Sequence, residues 1–171
     1  MGVSGVGKTT VAVRVAAMLG WPFGEGDDIH PPANVEAMVA GRPLADADRW
    51  PWLARIGEWL DAQQAADRSV VVTCSALKRV YRERLHEGRS GLWFCELDAS
   101  PAQIGERIAG RAGHYMPPTL LPSQLSAMEP LGPDERGARV AAQGSPEQVA
   151  AAVVATFTRA AAEPGVADQV T

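Results

Sequence analysis

The sequence predicts an α/β fold around a mostly parallel sheet, and three observations carry that prediction. Strand-like and helix-like patterns alternate along the chain, as they do when helices cross back over a parallel sheet. The runs Val70-Val71-Val72 and Leu92-Trp93-Phe94-Cys95 are unbroken rather than alternating, which suits strands covered on both faces. Near the start, Gly2-Val3-Ser4-Gly5-Val6-Gly7-Lys8-Thr9 matches G-x-x-x-x-G-K-[ST], the loop that wraps the phosphates of a nucleoside triphosphate.

In that loop the glycines let successive N–H groups turn inward onto phosphate oxygens. Lys8 brings a point charge to the β- and γ-phosphates, and the Thr9 hydroxyl is placed to ligate Mg²⁺. Lys8 to Leu19 reads as a helix, with Val11, Val15 and Leu19 at i, i+4 spacing and Gly20 as its stop. Its positive dipole end faces the same anion. A phosphate loop ordinarily hangs from a buried strand, yet only Met1 precedes it here. The expectation is therefore that an in-frame segment upstream encodes a short Val-, Ile- or Leu-rich strand. That strand would lie between the one at Val70–Thr73 and the one before the last helices.

Trp21 to Glu25 is a short strand candidate, followed by Glu25-Gly26-Asp27-Asp28-Ile29-His30, with three carboxylates and a histidine in six residues. Unpaired charges so concentrated do not share a core. They form either a solvated turn or a cation and hydroxyl site facing the phosphate loop. Asn34 to Val39 reads as a short helix, broken by Gly41-Arg42-Pro43. A longer helix starts near Asp46 or Asp48, either of which can cap it, and runs to about Ala66. Trp52, Leu53, Ile56, Trp59 and Leu60 form its apolar stripe, with the tryptophans read as core.

The strand at Ser69–Cys74 leads through Ser75-Ala76-Leu77-Lys78 into a helix ending near Glu87. Leu92 to Leu97 is the next strand. Ser100-Pro101-Ala102-Gln103 is a capping box with proline at the first helical position, opening a helix that carries Ile104 and Ile108 and ends near Gly110. Ala112 to Pro122 reads as an excursion from the main fold, Leu120 to Met128 as a short helix interrupted or started by Pro122, and Glu129 to Gly137 as loop. Arg139–Gln143 is a weak last strand, and Ser145-Pro146-Glu147-Gln148 caps a final helix with the stripe Val149, Val153, Phe157. The chain reads as one domain over residues 1–162 with a frayed tail at 163–171.

The composition is 46% hydrophobic and 21% charged, as for a globular protein, and the net charge of −4 argues against nucleic acid as partner. No apolar run is long enough to span a bilayer and no signal-peptide pattern is present, which points to the cytoplasm. Cys74 and Cys95 sit in strand-like runs and are expected reduced. In parallel sheets, ligands bind at the carboxyl ends of the strands. The phosphate loop, Glu25–His30, Cys74–Lys78 and Asp98–Ser100 all fall there and converge on one crevice.

Several segments together resemble the gluconokinases, small P-loop kinases related in fold to shikimate and adenylate kinases. They are the phosphate loop, Gly26-Asp27-Asp28-Ile29-His30-Pro31, Asn34 with Met38, Pro43-Leu44, Asp46, Asp48-Arg49 and Pro51-Trp52-Leu53. Cys74-Ser75-Ala76-Leu77-Lys78-Arg79 with Tyr81-Arg82, Arg111-Ala112-Gly113-His114-Tyr115, Leu120-Leu121, Ser123-Gln124-Leu125 and Glu129-Pro130 complete the set. The likeness runs from Gly2 to about Phe157. It implies a three-layer αβα P-loop kinase with a mobile lid at about 112–130, phosphorylating D-gluconate with ATP and Mg²⁺ at its terminal hydroxyl. It also suggests a homodimer.

On that reading Gly2, Val3, Ser4, Gly5, Val6, Gly7, Lys8, Thr9 and Thr10 hold the nucleotide, with Lys8 catalytic. Thr9 takes the metal, and Glu25 or Asp27 holds waters of its shell. Asp27 accepts the hydrogen bond of the attacking hydroxyl. Arg49 and Lys78 are candidates for the gluconate carboxylate, Arg49 through its bidentate fork; His30, Ser75 and Gln124 are candidates for its hydroxyls. Arg107 and Arg111, at i, i+4, are expected to close on the ATP phosphates, Arg111 with a catalytic role. The alternatives are a shikimate-kinase-like or nucleoside-monophosphate-kinase-like enzyme, or a non-catalytic nucleotide-binding protein.

Overall fold

Two parallel strand pairs with Met1 and Gly2 between them make up the central sheet. The computed structural model describes residues 1–109 and 118–162. Arg111, Gly113, His114 and most of the N-terminal part of the expected lid lie outside the described residues, as does the tail at 163–171. In chain order the elements are α1 (Lys8–Leu19), β1 (Phe23–Gly24), a 3-10 turn at Gly26–Ile29, α2 (Pro32–Val39) and α3 (Asp46–Ala65). There follow β2 (Val71–Val72), α4 (Arg79–His86), β3 (Phe94–Asp98), α5 (Pro101–Ala109), a 3-10 turn at Pro118–Leu120, α6 (Leu121–Ala127), β4 (Gly137–Ala141) and α7 (Pro146–Ala162).

Strand β1 pairs with β2, and β3 with β4, both parallel. The Met1 carbonyl accepts from the Leu97 N–H at 3.0 Å and the Gly2 N–H donates to the Ser75 carbonyl at 3.1 Å. The Met1 amine donates to the Cys95 carbonyl. Met1 and Gly2 thus run between β3 and the segment leaving β2, with β4 beyond β3.

Helices cover both faces. On one, Val11 and Val15 of α1, Ile104 of α5 and Val149 and Val153 of α7 pack with Val6, Leu97 and Val140. On the other, Trp52, Leu53 and Ile56 of α3 and Tyr81 and Leu85 of α4 pack with Cys74 and Phe94. This is the αβα layering that the resemblance implied, built on the parallel pairing that the alternation of elements predicted. None of the described helices is long and apolar enough to cross a membrane.

The strands depart from their expected bounds. Within Trp21–Glu25 and Ser69–Cys74 only the two-residue strands β1 and β2 form, β3 begins at Phe94 rather than Leu92, and β4 at Gly137 rather than Arg139. Gly137 lies opposite Phe94, so close that a Cβ there would stand 2.3 Å from the Phe94 carbonyl oxygen. The register therefore starts at the residue that has no side chain. The capping boxes form as read: Ser100 N–H donates to Gln103 Oε1 at 3.0 Å, and Ser145 N–H to Gln148 Oε1 at 2.8 Å. At α3 the cap position is Ala45, whose N–H donates to the Asp48 carboxylate at 2.9 Å; Asp48 supplies the reaching-back half of a capping box.

Candidate active site

The phosphate loop enters α1 through Gly7, which has φ +108° and leaves the helix N-terminus without a side-chain cap. The first N–H groups of α1 are thereby directed at whatever anion occupies the loop. Helix α5 presses on the loop from outside: a Cβ on Gly5 would come within 2.6 Å of Ile108. Lys8 Nζ donates to the Val3 carbonyl across the loop at 3.1 Å. The carbonyl of Thr10, in the first turn of α1, accepts from Arg14 at 2.9 Å. Arg107 donates to the carbonyls of Val6 at 2.8 Å and Ala142 at 2.6 Å. It thus ties the phosphate loop to the segment between β4 and α7.

The acidic turn docks directly beside Thr9. Thr9 Oγ1 donates to Glu25 Oε2 at 2.7 Å, while the Thr73 hydroxyl donates to Glu25 Oε1 and accepts from the Gly26 N–H at 3.0 Å. Trp52 Nε1 donates to the Gly26 carbonyl at 2.7 Å. Thr9 and Glu25 offer two hard oxygen donors, and among the described residues no group of three or more His, Cys, Asp or Glu forms a cage. That donor set fits Mg²⁺, which keeps several waters and takes one or two protein ligands plus phosphate oxygens.

One pocket gathers Lys8, Asp27, His30, Arg49, Ser75 and Gln124, with Met38, Leu44 and Leu120 as its apolar wall. Asp27 is half-buried, whereas Asp28 is exposed. His30 is buried, stacked on Trp52 with ring centroids 4.1 Å apart and planes 12° apart. Burial pulls its pKa from 6.5 down to about 4, against the opposing pull of Asp27, so the ring is neutral at ordinary pH. Asn34 Nδ2, which can only donate, lies 3.3 Å from His30 Nδ1 and donates at 2.8 Å to the Asp48 carbonyl. Nδ1 is therefore the acceptor nitrogen and Nε2 carries the proton. Gln124 of α6 accepts from the Ser4 N–H at 2.7 Å, bridging pocket and phosphate loop.

Lys78 does not line this pocket. Its Nζ lies 2.7 and 3.0 Å from the two Asp46 carboxylate oxygens, and the Tyr81 hydroxyl donates to the same carboxylate at 2.6 Å. Four contributors were given no site role from the sequence: Asn34, Thr73, Ser123 and the Trp52 indole, whose apolar stripe concealed its second use. The i, i+4 spacing of His30 and Asn34 was the one local signal available. Thr73 and Trp52 act on residues 47 and 26 positions away, which no local pattern reports.

Relatives of known name share this arrangement of elements. The chain is 50% identical over 157 residues to a gluconokinase of Gluconobacter oxydans (strain 621H), covering 92% of this chain and 88% of the relative. The crystal structure of an unliganded sugar kinase from Janibacter sp. HTCC2649 superposes with a TM-score of 0.88 at 46% identity, covering 92% of this chain and 91% of that one. A gluconokinase from Sinorhizobium meliloti 1021 superposes with a TM-score of 0.84 at 44% identity, covering 93% and 89%. No family model matches the chain.

Proposed function

The chain belongs to the gluconokinase family, and on that premise we propose how its residues transfer the γ-phosphoryl group of ATP to the terminal hydroxyl of D-gluconate, giving 6-phospho-D-gluconate and ADP. The observation that carries this reading is one pocket in which a phosphate-loop lysine, a half-buried carboxylate, a neutral histidine and an arginine meet. Phosphoryl transfer asks the protein for positioning and charge neutralisation more than for covalent help.

The loop amides from Gly2 to Thr10 and the α1 N-terminus hold the donor phosphates, and Lys8 neutralises charge that develops on the transferred group. Thr9 and Glu25 would hold Mg²⁺, which would supply further neutralisation of the phosphate charge. Asp27 accepts the hydrogen bond of the terminal hydroxyl and aligns its oxygen on phosphorus. At the other end of the substrate, Arg49 takes the carboxylate through its fork. His30, fixed as the Nε2–H tautomer, donates to a hydroxyl, and Ser75 and Gln124 complete the polar lining. Arg107, expected from the sequence to close on the ATP phosphates, is instead given the role of bracing the phosphate loop through the Val6 and Ala142 carbonyls, and Arg111 is assigned to the donor phosphates.

The test is ADP release measured with gluconate, shikimate and nucleoside monophosphates in parallel. Turnover with gluconate alone is expected. Turnover with shikimate or a monophosphate instead, or ATP binding with no turnover on any acceptor, would overturn the assignment.

A further inference from the structure

Arg49 sits in the first turn of α3, three residues after Asp46, a spacing at which the two charges are neighbours on the helix surface. Left to themselves they would pair, and the arginine fork would be spent on its own helix. The structure resolves that competition. Lys78, 32 residues further along, takes both Asp46 oxygens at 2.7 and 3.0 Å, and the Tyr81 hydroxyl takes Oδ1 at 2.6 Å. The Arg49 guanidinium lies instead over the Tyr81 ring, 5.7 Å from its centroid. Tyr81 is 2% exposed. It is fixed by its hydroxyl bond, by Trp50 edge-on at 5.4 Å and by Lys78 at 5.6 Å from the centroid. A guanidinium drawn over an aromatic ring by cation–π attraction is steadied without using up its N–H donors, which stay available to a carboxylate.

We propose that Tyr81, with Asp46 diverted onto Lys78, is the positioning platform that directs Arg49 at the acceptor's carboxylate and thereby sets affinity for a sugar acid. The inference rests on the assignment of Arg49 made above. Lys78 then serves the same carboxylate that the sequence pointed it toward, through Asp46 rather than by contact.

Saturation kinetics on the full chain, varying gluconate and ATP separately, test this. Tyr81→Leu removes the platform and should raise the gluconate KM roughly tenfold, leaving the ATP KM and kcat at saturating gluconate within about twofold. Tyr81→Phe keeps the ring and should restore most of that affinity, with a gluconate KM about threefold above the parent. Lys78→Met, which returns Asp46 to Arg49, should also raise the gluconate KM alone. In an Arg49→Ala background, Tyr81→Leu should add nothing further.

If Arg49→Ala leaves the gluconate KM unchanged, the Arg49 assignment itself falls. If Arg49→Ala raises it but Tyr81→Leu does not, or if the two effects multiply in the double variant, the platform is wrong while the site stands. Should Tyr81→Leu fail to fold, Tyr81→Phe and Lys78→Met decide: an unchanged gluconate KM in both overturns the proposal.

Discussion

Strands β3 and β4 pair over five residues each, whereas β1 and β2 pair over two. The difference divides the active site. The donor side rests on β3, β4 and the phosphate loop, and is held mainly by backbone groups. Leu97 bonds Met1, Arg107 grips two carbonyls and Ile108 fills the space beneath Gly5. The acceptor side rests on β1 and β2, where side chains supply what the short ladder lacks. Thr73 bonds both Glu25 and Gly26, Trp52 bonds Gly26 and Asn34 links His30 to the start of α3. Two regions of one sheet thus carry two substrates by different means. Nucleotide phosphates are bound by amides, which any sequence possesses, so that side needs space and conformation. A polyhydroxy acid needs particular donors and acceptors, so that side needs particular side chains.

The largest expected effect lies on the donor side. Lys8→Ala should lower kcat on the order of a hundredfold or more, as for loss of a major electrostatic donor at a transition state. The gluconate KM should change little. Steady-state kinetics check this, and near-full turnover would remove Lys8 from the chemistry.

Glycine replacement sharpens the contrast. At Gly26 a Cβ would stand 1.9 Å from the Thr73 carbonyl oxygen, a backbone atom with nowhere to go. Gly26→Ala should therefore cost about 3 kcal/mol, the upper end of overpacking, or roughly 6–12 °C in Tm for a chain of this size. At Gly5 the neighbour is the flexible end of Ile108, and the cost lies in φ +79°. Gly5→Ala should lose less stability and impair ATP use selectively. Thermal melts and ATP saturation curves separate them; equal losses of stability would blur the division.

Trp52→Phe is a smaller perturbation. It keeps an aromatic ring under His30 but leaves the Gly26 carbonyl without its indole donor, a loss of about 1–3 kcal/mol where the group stays buried. The gluconate KM should rise severalfold with the ATP KM unaffected. An equal rise in both would mean that Trp52 supports the whole domain rather than the acceptor side.

The same division decides what was legible in the sequence. Helix α1 was readable to the residue, because glycines in left-handed conformations bound it at Gly7 and Gly20. Both capping boxes were readable because their partners are three residues apart. The donor loop is one contiguous motif and was equally plain. On the acceptor side, residue types were legible and partners were not. The sequence identified Lys78 as a charge near the carboxylate, but its engagement with Asp46 depends on packing between α3 and α4. Trp52 was correctly read as buried, yet burial alone does not say what its N–H bonds. The starts of β3 and β4 were misplaced by two residues because their register follows Gly137 against Phe94, a contact across 43 positions with no local signature.

The smallest effect, and the most specific, is a pH dependence that the acceptor side should carry through His30. Its pKa is lowered from 6.5 to about 4, first by burial and secondarily by Arg49, with Asp27 opposing. Above pH 6.5 the ring is neutral in both folded and unfolded chains and contributes no slope. Between about 6.5 and 4 the unfolded chain binds a proton that the folded chain refuses. Stability should therefore fall as pH drops through that window and level off below it. Carboxylates titrate in the lower part of the same range, so the informative quantity is a difference between two proteins. His30→Gln removes the titrating ring and retains a polar side chain. Urea unfolding of the parent and His30→Gln at pH 7, 6, 5 and 4.5 should show the parent losing stability more steeply. Over that range His30 should also stay neutral when folded, so acid should weaken the fold before it alters the histidine's hydrogen bond to substrate. Parallel slopes for parent and variant would mean that His30 titrates normally. The neutral Nε2–H donor assigned to the acceptor site would then have to be abandoned.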